Sequence, residues 1–458
     1  MYKRLYYLGI AAYAVMFFLA FIFYKERIVF LDASFVLFHL IREGTFRIEV
    51  FRFGDALMQV LPLLAYKASL PLKDIIMSFS LSPVLIYFVS YIVCGGVLKQ
   101  YRFALAILLL NVLFTADSFY WPISQVSQGM ALLLVIFALI YERQVSSIGF
   151  GRWVFFFFLL VLLVFFHPLM LVVMGYGVLF FLLSGDLVFE KRMLYVVAGS
   201  FFIILVLKVT FFIDPYEHHS LSGLKNFVTL FPDYIHLYSN RRFAYNCVTK
   251  YYWLPVLSLG VIIFYVRKRE WWKLALFFAA VAGYLLIVNV SYPTAATPSF
   301  YIENLYLPLA FFILLPFVFD LAPVLQARRV AVPVVLLIIV TGCIRMYATH
   351  SAYTRRLTYE RQLLDRYGDK KVILAANRVD TATLQMLWGT AYEFWLLSTS
   401  ERGYTASINI DDDAQKFGGA REQKKALVVT WGVFPYNGLD KSYFRFKDTT
   451  SGYIIDPQ

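Results

Sequence analysis

Along its length the chain alternates long apolar runs with short clusters of charge. Apolar runs of about 14 to 23 residues read as bilayer-crossing helices, because about 20 residues at 1.5 Å each match the hydrocarbon thickness. The pattern predicts eleven such spans, near 5–24, 75–97, 103–117, 124–141, 153–166, 168–185, 193–213, 253–266, 274–291, 304–322 and 330–347. The apolar stretch around His167-Pro168 runs for about 32 residues, too long for one crossing at that rise. Proline removes a helical hydrogen bond, so the stretch is read as two short spans meeting in a tight turn.

The charges between the runs give an orientation. With the N-terminus inside, the cytoplasmic connections carry Lys3/Arg4, Lys99/Arg102, Arg143/Arg152, Lys191/Arg192, Arg267-Lys268-Arg269 with Lys273, and Arg328-Arg329. Each holds at least two positive charges, as the positive-inside bias expects. Merging 153–185 into one span would put the Lys191 and Arg267 clusters outside, so the parity favours eleven. The outer face then holds a large first loop (25–74), the 118–123 turn, a long loop (214–252), the 292–303 loop and a tail from about 349.

Two stretches of the first loop are apolar without crossing. Ala56 to Ala65 is too short to span and is read as an interfacial or re-entrant helix. Ser34 to Phe53 mixes Phe, Leu, Ile and Val with charge, as a helix lying on the bilayer surface would. The tail changes character. Strand-like runs (Lys371 to Ala376, Ala426 to Trp431, Tyr453 to Asp456) alternate with helix-like ones (Tyr353 to Arg366, Thr381 to Thr399), which predicts a small α/β domain. The fold class is thus an all-α polytopic membrane bundle over 1–348 with a soluble α/β domain over 349–458.

Composition agrees. Hydrophobic residues make up 60% of the 458 and charged residues only 16%, with a mean hydropathy of +0.68. Such a chain lacks the polar surface a soluble domain needs. The net charge of +13 comes from Lys and Arg paired between apolar runs, a topology signal rather than a nucleic-acid patch. Cys94, Cys247 and Cys343 are far apart and have no C-x-x-C or His/Cys spacing, which argues against a disulfide framework or a zinc site. Lys3 and Arg4 precede an apolar run to Tyr24 that is too long for a signal-peptide core, so it is read as an uncleaved first span.

Asp32 is the first candidate for chemistry. It follows the outer end of span one, in Val29-Phe30-Leu31-Asp32-Ala33. A carboxylate at the membrane surface can be a general base for a sugar hydroxyl or a ligand for a divalent cation on a lipid phosphate. It can equally be a helix N-cap for the residues from Ala33 onward.

The stretch Asp32-Ala33-Ser34-Phe35 through Gly44-Thr45-Phe46, then Arg52-Phe53-Gly54-Asp55, resembles the first outer loop of the GT-C glycosyltransferases. Ser118-Phe119-Tyr120-Trp121-Pro122 and Phe166-His167-Pro168 resemble turns of bacterial members, and residues 1–350 share the architecture of many short spans. The resemblance implies transfer of a sugar from a polyprenyl-phosphate donor on the outer face of a bacterial inner membrane, to a glycan, lipid or protein acceptor. It implies a catalytic Asp32 and substrate contacts from Arg52 and Asp55. Many members carry two adjacent acidic residues in this loop. Here Ala33 follows Asp32, so a divalent cation stays open.

Other polar residues rank behind Asp32. Glu303 opens span ten in Tyr301-Ile302-Glu303-Asn304, and a boundary carboxylate faces a cavity or a partner. His167 is either a turn residue or a site residue. Lys208 lies inside span seven, where an ammonium snorkels or meets an anion such as a donor phosphate. Arg241-Arg242 can clamp a pyrophosphate or touch lipid headgroups. Glu217-His218-His219 lacks zinc-site spacing, and Asp411-Asp412-Asp413 reads as a solvated loop. The tail offers no nucleophile and triad, and is expected to bind or shape the acceptor site.

Two other functions stay in view. An O-antigen polymerase or ligase would depend on Arg241, Arg242 and His218 rather than Asp32. A transporter, flippase or scaffold would need no catalytic residue, and the chain shows no inverted repeat.

Overall fold

The computed structural model describes residues 2–123, 125–141, 149–185, 189–212, 214–216 and 221–456. In chain order the helices are α1 (Tyr2–Ile22), α2 (Tyr24–Ile28), α3 (Leu31–Glu43), α4 (Ala56–Lys67), α5 (Leu72–Ile92) and α6 (Tyr101–Leu113). There follow α7 (Asp117–Tyr120), α8 (Gln125–Ile140), α9 (Phe150–Val164), α10 (Met170–Leu183) and α11 (Lys191–Phe211). The last are α12 (Tyr238–Thr249), α13 (Trp253–Lys268), α14 (Trp271–Ser291), α15 (Ser299–Pro316), α16 (Ala331–Tyr367) and α17 (Thr390–Arg402).

This is a helical membrane protein with a small sheet region. Six helices are long and apolar enough to cross a bilayer: α1, α5 extended to Val97, α11, α14, α15 extended to Ala327, and α16. The α12–α13 pair, bent by 90°, makes a seventh if counted as one span. Outward-facing side chains such as Phe18, Phe202, Ile203 and Phe211 are exposed, as lipid-facing residues are. Each of the eleven predicted runs coincides with a helix. Five of them, α6, α8, α9, α10 and α13, have only 13 to 16 residues. At 1.5 Å per residue that is about 20–24 Å, less than the hydrocarbon thickness of about 30 Å.

The first loop folds inward. α4 is a 12-residue helix, too short to cross. α3 ends at Glu43, where Gly44 turns the chain at φ 66° and donates its N–H to the Leu40 carbonyl. Ten of the thirteen α3 residues are buried, more than a helix lying on a bilayer surface would bury. The reason is the tail. α3 packs against α17 of the tail as well as against α4, and one apolar cluster joins Phe38, Ile75, Trp395 and Phe444.

The tail is built on a parallel sheet of strands β1 (Lys371–Ala375), β2 (Ser407–Asp411) and β5 (Ile454–Ile455), in the order β2-β1-β5. Parallel neighbours need a crossover, which α17 supplies between β1 and β2. A hairpin of β3 (Ala426–Val429) and β4 (Gly432–Pro435) completes it. Strand β2 takes in Asp411, which is buried and paired with Lys416 at 2.7 Å, so the acidic run is not wholly a solvated loop. α16 runs unbroken through residues 348 and 349, and Leu357, Leu363 and Leu364 of its second half join the tail core.

Candidate functional site: a cavity shared by the first loop and the C-terminal domain

The site starts from an unusual helix beginning. Leu31, the first residue of α3, has φ 39°, a left-handed conformation that a bulky side chain adopts only under constraint. The constraint comes from α17. Glu393 Oε1 accepts the Leu31 N–H at 2.5 Å, and a Cβ on Gly389 would lie 2.9 Å from the Leu31 Cα. Arg356 holds Glu393 in place, bonding its other carboxylate oxygen, the Val29 carbonyl at 3.1 Å and Glu360 at 2.6 Å. All three charged side chains are buried. The cap of α3 is thus supplied from the tail, not by Asp32, which sits one residue inside the helix.

Asp32 is left for other work. Its Oδ2 accepts the indole N–H of Trp121 at 2.8 Å. Burial raises its carboxyl from the ordinary range to about 6, opposed by the Trp121 bond and the Arg52 charge and reinforced by Glu393.

A second carboxylate lies on the same cavity. Arg52 Nη1 donates to Gln125 Oε1 at 2.9 Å, and Gln125 Nε2 donates to Asp55 Oδ2 at 2.8 Å. Burial raises Asp55 to about 7, with Gln125 and Arg52 opposing and the Asp32 charge adding. Asp55 Oδ1 and the Asn304 Oδ1 have no hydrogen-bond partner among the described residues, and both side chains line the cavity. This loop is seated by Gly54, where a Cβ would lie 2.5 Å from the Phe166 ring, so only glycine lets the chain reach the His167-Pro168 turn.

The cavity has a volume of about 760 Å³. Its polar floor is Asp32, Arg52, Asp55, Gln125 and His167. One wall, from α14 and α15, is mostly apolar: Tyr284, Ile287, Val288, Tyr301 and Leu305. α3 and the tail contribute Phe35, Trp388, Tyr392, Trp431 and Phe434 to the cavity lining. Among the described residues no group of three or more His, Cys, Asp or Glu side chains is placed to hold a metal ion. Each cavity carboxylate takes a hydrogen-bond donor.

The sequence candidates separate in space. Asp32, Arg52, Asp55 and His167 share the cavity. Lys208 is buried behind the same turn, its Nζ 5.7 Å from the Phe165 ring centre. Glu303 does not line the cavity. Its Oε1 accepts from Ala116 N at 2.7 Å, Ser118 N at 2.8 Å and Ser118 Oγ at 2.6 Å, and its Oε2 from Tyr251 at 2.8 Å. A carboxylate so occupied caps the α7 turn and holds it to α15. Arg242 Nη1 donates to the Thr297 carbonyl at 2.6 Å, and Arg241 is exposed on α12; neither lines the cavity. Glu217, His218 and His219 lie outside the described residues.

Sequence reasoning missed Trp121 as the partner of Asp32, Gln125 as the link between Arg52 and Asp55, and the tail aromatics. Trp121 lies within the Ser118–Pro122 turn and Gln125 three residues after it, so proximity to that motif is the available signal. Trp388 and Trp431 carry no local one.

No protein-family model, no curated protein and no solved structure matches the chain.

Proposed function

We propose that this protein is a membrane-embedded glycosyltransferase of the GT-C type. It moves a sugar from a polyprenyl-phosphate donor to an acceptor hydroxyl at the outer face of a bacterial inner membrane. In this reading all eleven apolar helices cross, the short ones where neighbouring helices bury them, and the tail is periplasmic. The observation that carries it is the cavity itself. One chamber combines a carboxylate raised to about 6, a guanidinium beside it and a long apolar wall.

Each part has a task. The apolar wall of α14 and α15 takes the isoprenoid chain, and Arg52 faces the donor phosphate as a charge-assisted donor. Asp32 removes the proton from the acceptor hydroxyl as its oxygen attacks the anomeric carbon. The bond from that carbon to the phosphate oxygen breaks, and polyprenyl phosphate leaves with the electron pair. One displacement inverts the anomeric centre. Trp121 holds the Asp32 carboxylate in place through its N–H. Positioning and charge stabilisation supply most of the rate.

The test is transfer in proteoliposomes supplied with polyprenyl-phosphate sugars. The wild-type chain is expected to consume one of them and to release polyprenyl phosphate. Asp32→Asn keeps the shape and loses the basicity, and is expected to reduce transfer about a hundredfold or more. Full transfer by this variant would remove the proposed base.

A further inference from the structure

Trp431 occupies an odd place for its size. It stands with Thr430 at the two-residue tip of the β3–β4 hairpin, between the paired residues Val429 and Gly432. Such tips favour Gly, Asn or Asp, and tryptophan contributes nothing to the turn. Its side chain is 64% exposed, although one face is stacked on Trp388 with centroids 4.5 Å apart and 24° between planes. Thr430 Oγ1 fixes the tip by donating to the Trp388 carbonyl at 3.0 Å. The protein thus holds a two-ring platform rigidly on the cavity wall and leaves it open, at a cost in exposed apolar area.

The surroundings define what fits. Phe35 meets Trp388 and Trp431 edge-on at 6.0 and 6.1 Å, and Tyr392 at 5.3 Å. The rim next to it is polar but balanced. Arg47 pairs with Glu49 at 2.5 Å and Glu43 at 3.4 Å, and Arg42 lies 3.8 Å from Glu43. Two cations therefore face two anions. A pyranose answers both features, with an apolar C–H face for the exposed indole and a rim of hydroxyls for the balanced polar rim.

We infer that the Trp388–Trp431 platform is a saccharide subsite that docks a neutral pyranose ring of the acceptor, so that the acceptor is a glycan. The inference rests on the glycosyl-transfer reading for the word acceptor, and on the platform alone for the sugar. The spacing suits it. Phe35 is three residues after Asp32 on α3, about 4.5 Å along the axis at 1.5 Å per residue. A ring seated against Phe35 and Trp431 therefore directs a hydroxyl at the Asp32 carboxylate.

Binding can be read without transfer. The full chain in nanodiscs is presented to an array of neutral gluco-, manno-, galacto- and N-acetylglucosamine oligosaccharides, with ligand-observed NMR saturation transfer for any that bind. The wild type is expected to bind at least one class, with saturation strongest at the ring C–H protons. Trp431→Ala, at an exposed position, is expected to weaken binding about tenfold, in line with the loss of one aromatic face. Trp431→Tyr is expected to restore most of it. No binding to any oligosaccharide, or equal binding by Trp431→Ala, would overturn the subsite. Binding lost in Trp431→Ala beside full transfer by Asp32→Asn would keep the subsite and remove the proposed base instead.

Discussion

Glu393 of α17 and Leu31 of α3 are 362 residues apart in sequence, yet the Glu393 carboxylate accepts the Leu31 N–H at 2.5 Å. That bond ends the helix bearing Asp32 and holds Leu31 at φ 39°. The tail is therefore part of the site's framework, and the position of Asp32 depends on it.

Two substitutions at Glu393 separate charge from structure. Glu393→Ala strips a buried cation of one partner and leaves an N–H uncapped, which is expected to cost about 3–5 kcal/mol and to lower the Tm in detergent. Glu393→Gln keeps an oxygen for Leu31 and removes a negative charge that disfavours ionisation of Asp32. Its transfer rate, where folded, is expected to keep its acid limb but move it to lower pH. An acid limb that stays put would show that Glu393 does not act on Asp32.

The limb itself follows from Asp32. A base raised to about 6 works when deprotonated, so kcat/KM is expected to be level above neutral pH. It should fall about tenfold per pH unit below about 6. Stability runs the other way. A carboxylate that titrates near 6 when folded and near 3.8 when unfolded weakens the fold as pH rises between those values. Asp32→Asn is therefore expected to raise the Tm at pH 7.5 while reducing transfer about a hundredfold or more. A lower Tm would mean that the Trp121 bond outweighs the cost of burying the charge.

How much of this could be read in the sequence depends on how local each signal is. Apolar runs are local, so all eleven helices were visible, including the break at Pro168. Glycine in Arg52-Phe53-Gly54-Asp55 was visible as a motif, and the structure gives its reason in the Phe166 contact. The burial of α3 was not visible, because its second partner is α17, more than three hundred residues away. For the same reason the sequence left Asp32 open between a base and a helix cap, and Glu303 open between a cavity and a partner. The donors that occupy Glu303 come from residues 116, 118 and 251, which no spacing along the chain connects to it. Strand β2 escaped notice because its polar residues Ser407, Asn409 and Asp411 are buried in the domain rather than alternating outward.

Glu303 should behave as a structural residue. Its removal leaves the Ala116 and Ser118 N–H groups and two hydroxyls without their acceptor. Glu303→Ala is expected to destabilise the protein by about 2–4 kcal/mol, from several buried donors at about 1–3 kcal/mol each with partial relaxation. Transfer per folded molecule should stay within a few-fold of wild type. A hundredfold loss of transfer at unchanged Tm would put Glu303 in the chemistry.

The orientation can be tested independently of any activity. Every predicted cytoplasmic connection carries at least two Lys or Arg, and the mechanism places the cavity on the opposite side. Three spans, α14, α15 and α16, lie between Arg269 and the tail, so in this reading the two are on opposite faces of the membrane. In a chain whose three native cysteines are replaced, a single cysteine at exposed Lys441 or at exposed Arg269 gives the readout. A membrane-impermeant maleimide added to intact cells is expected to label the first and not the second. Permeabilised cells should label both. If one of α14, α15 and α16, the three spans between the two positions, fails to cross, both positions label or both stay dark. Labelling of Arg269 alone would overturn this orientation, by inversion of the whole bundle or by failure of one short helix among α6, α8, α9 and α10 to cross.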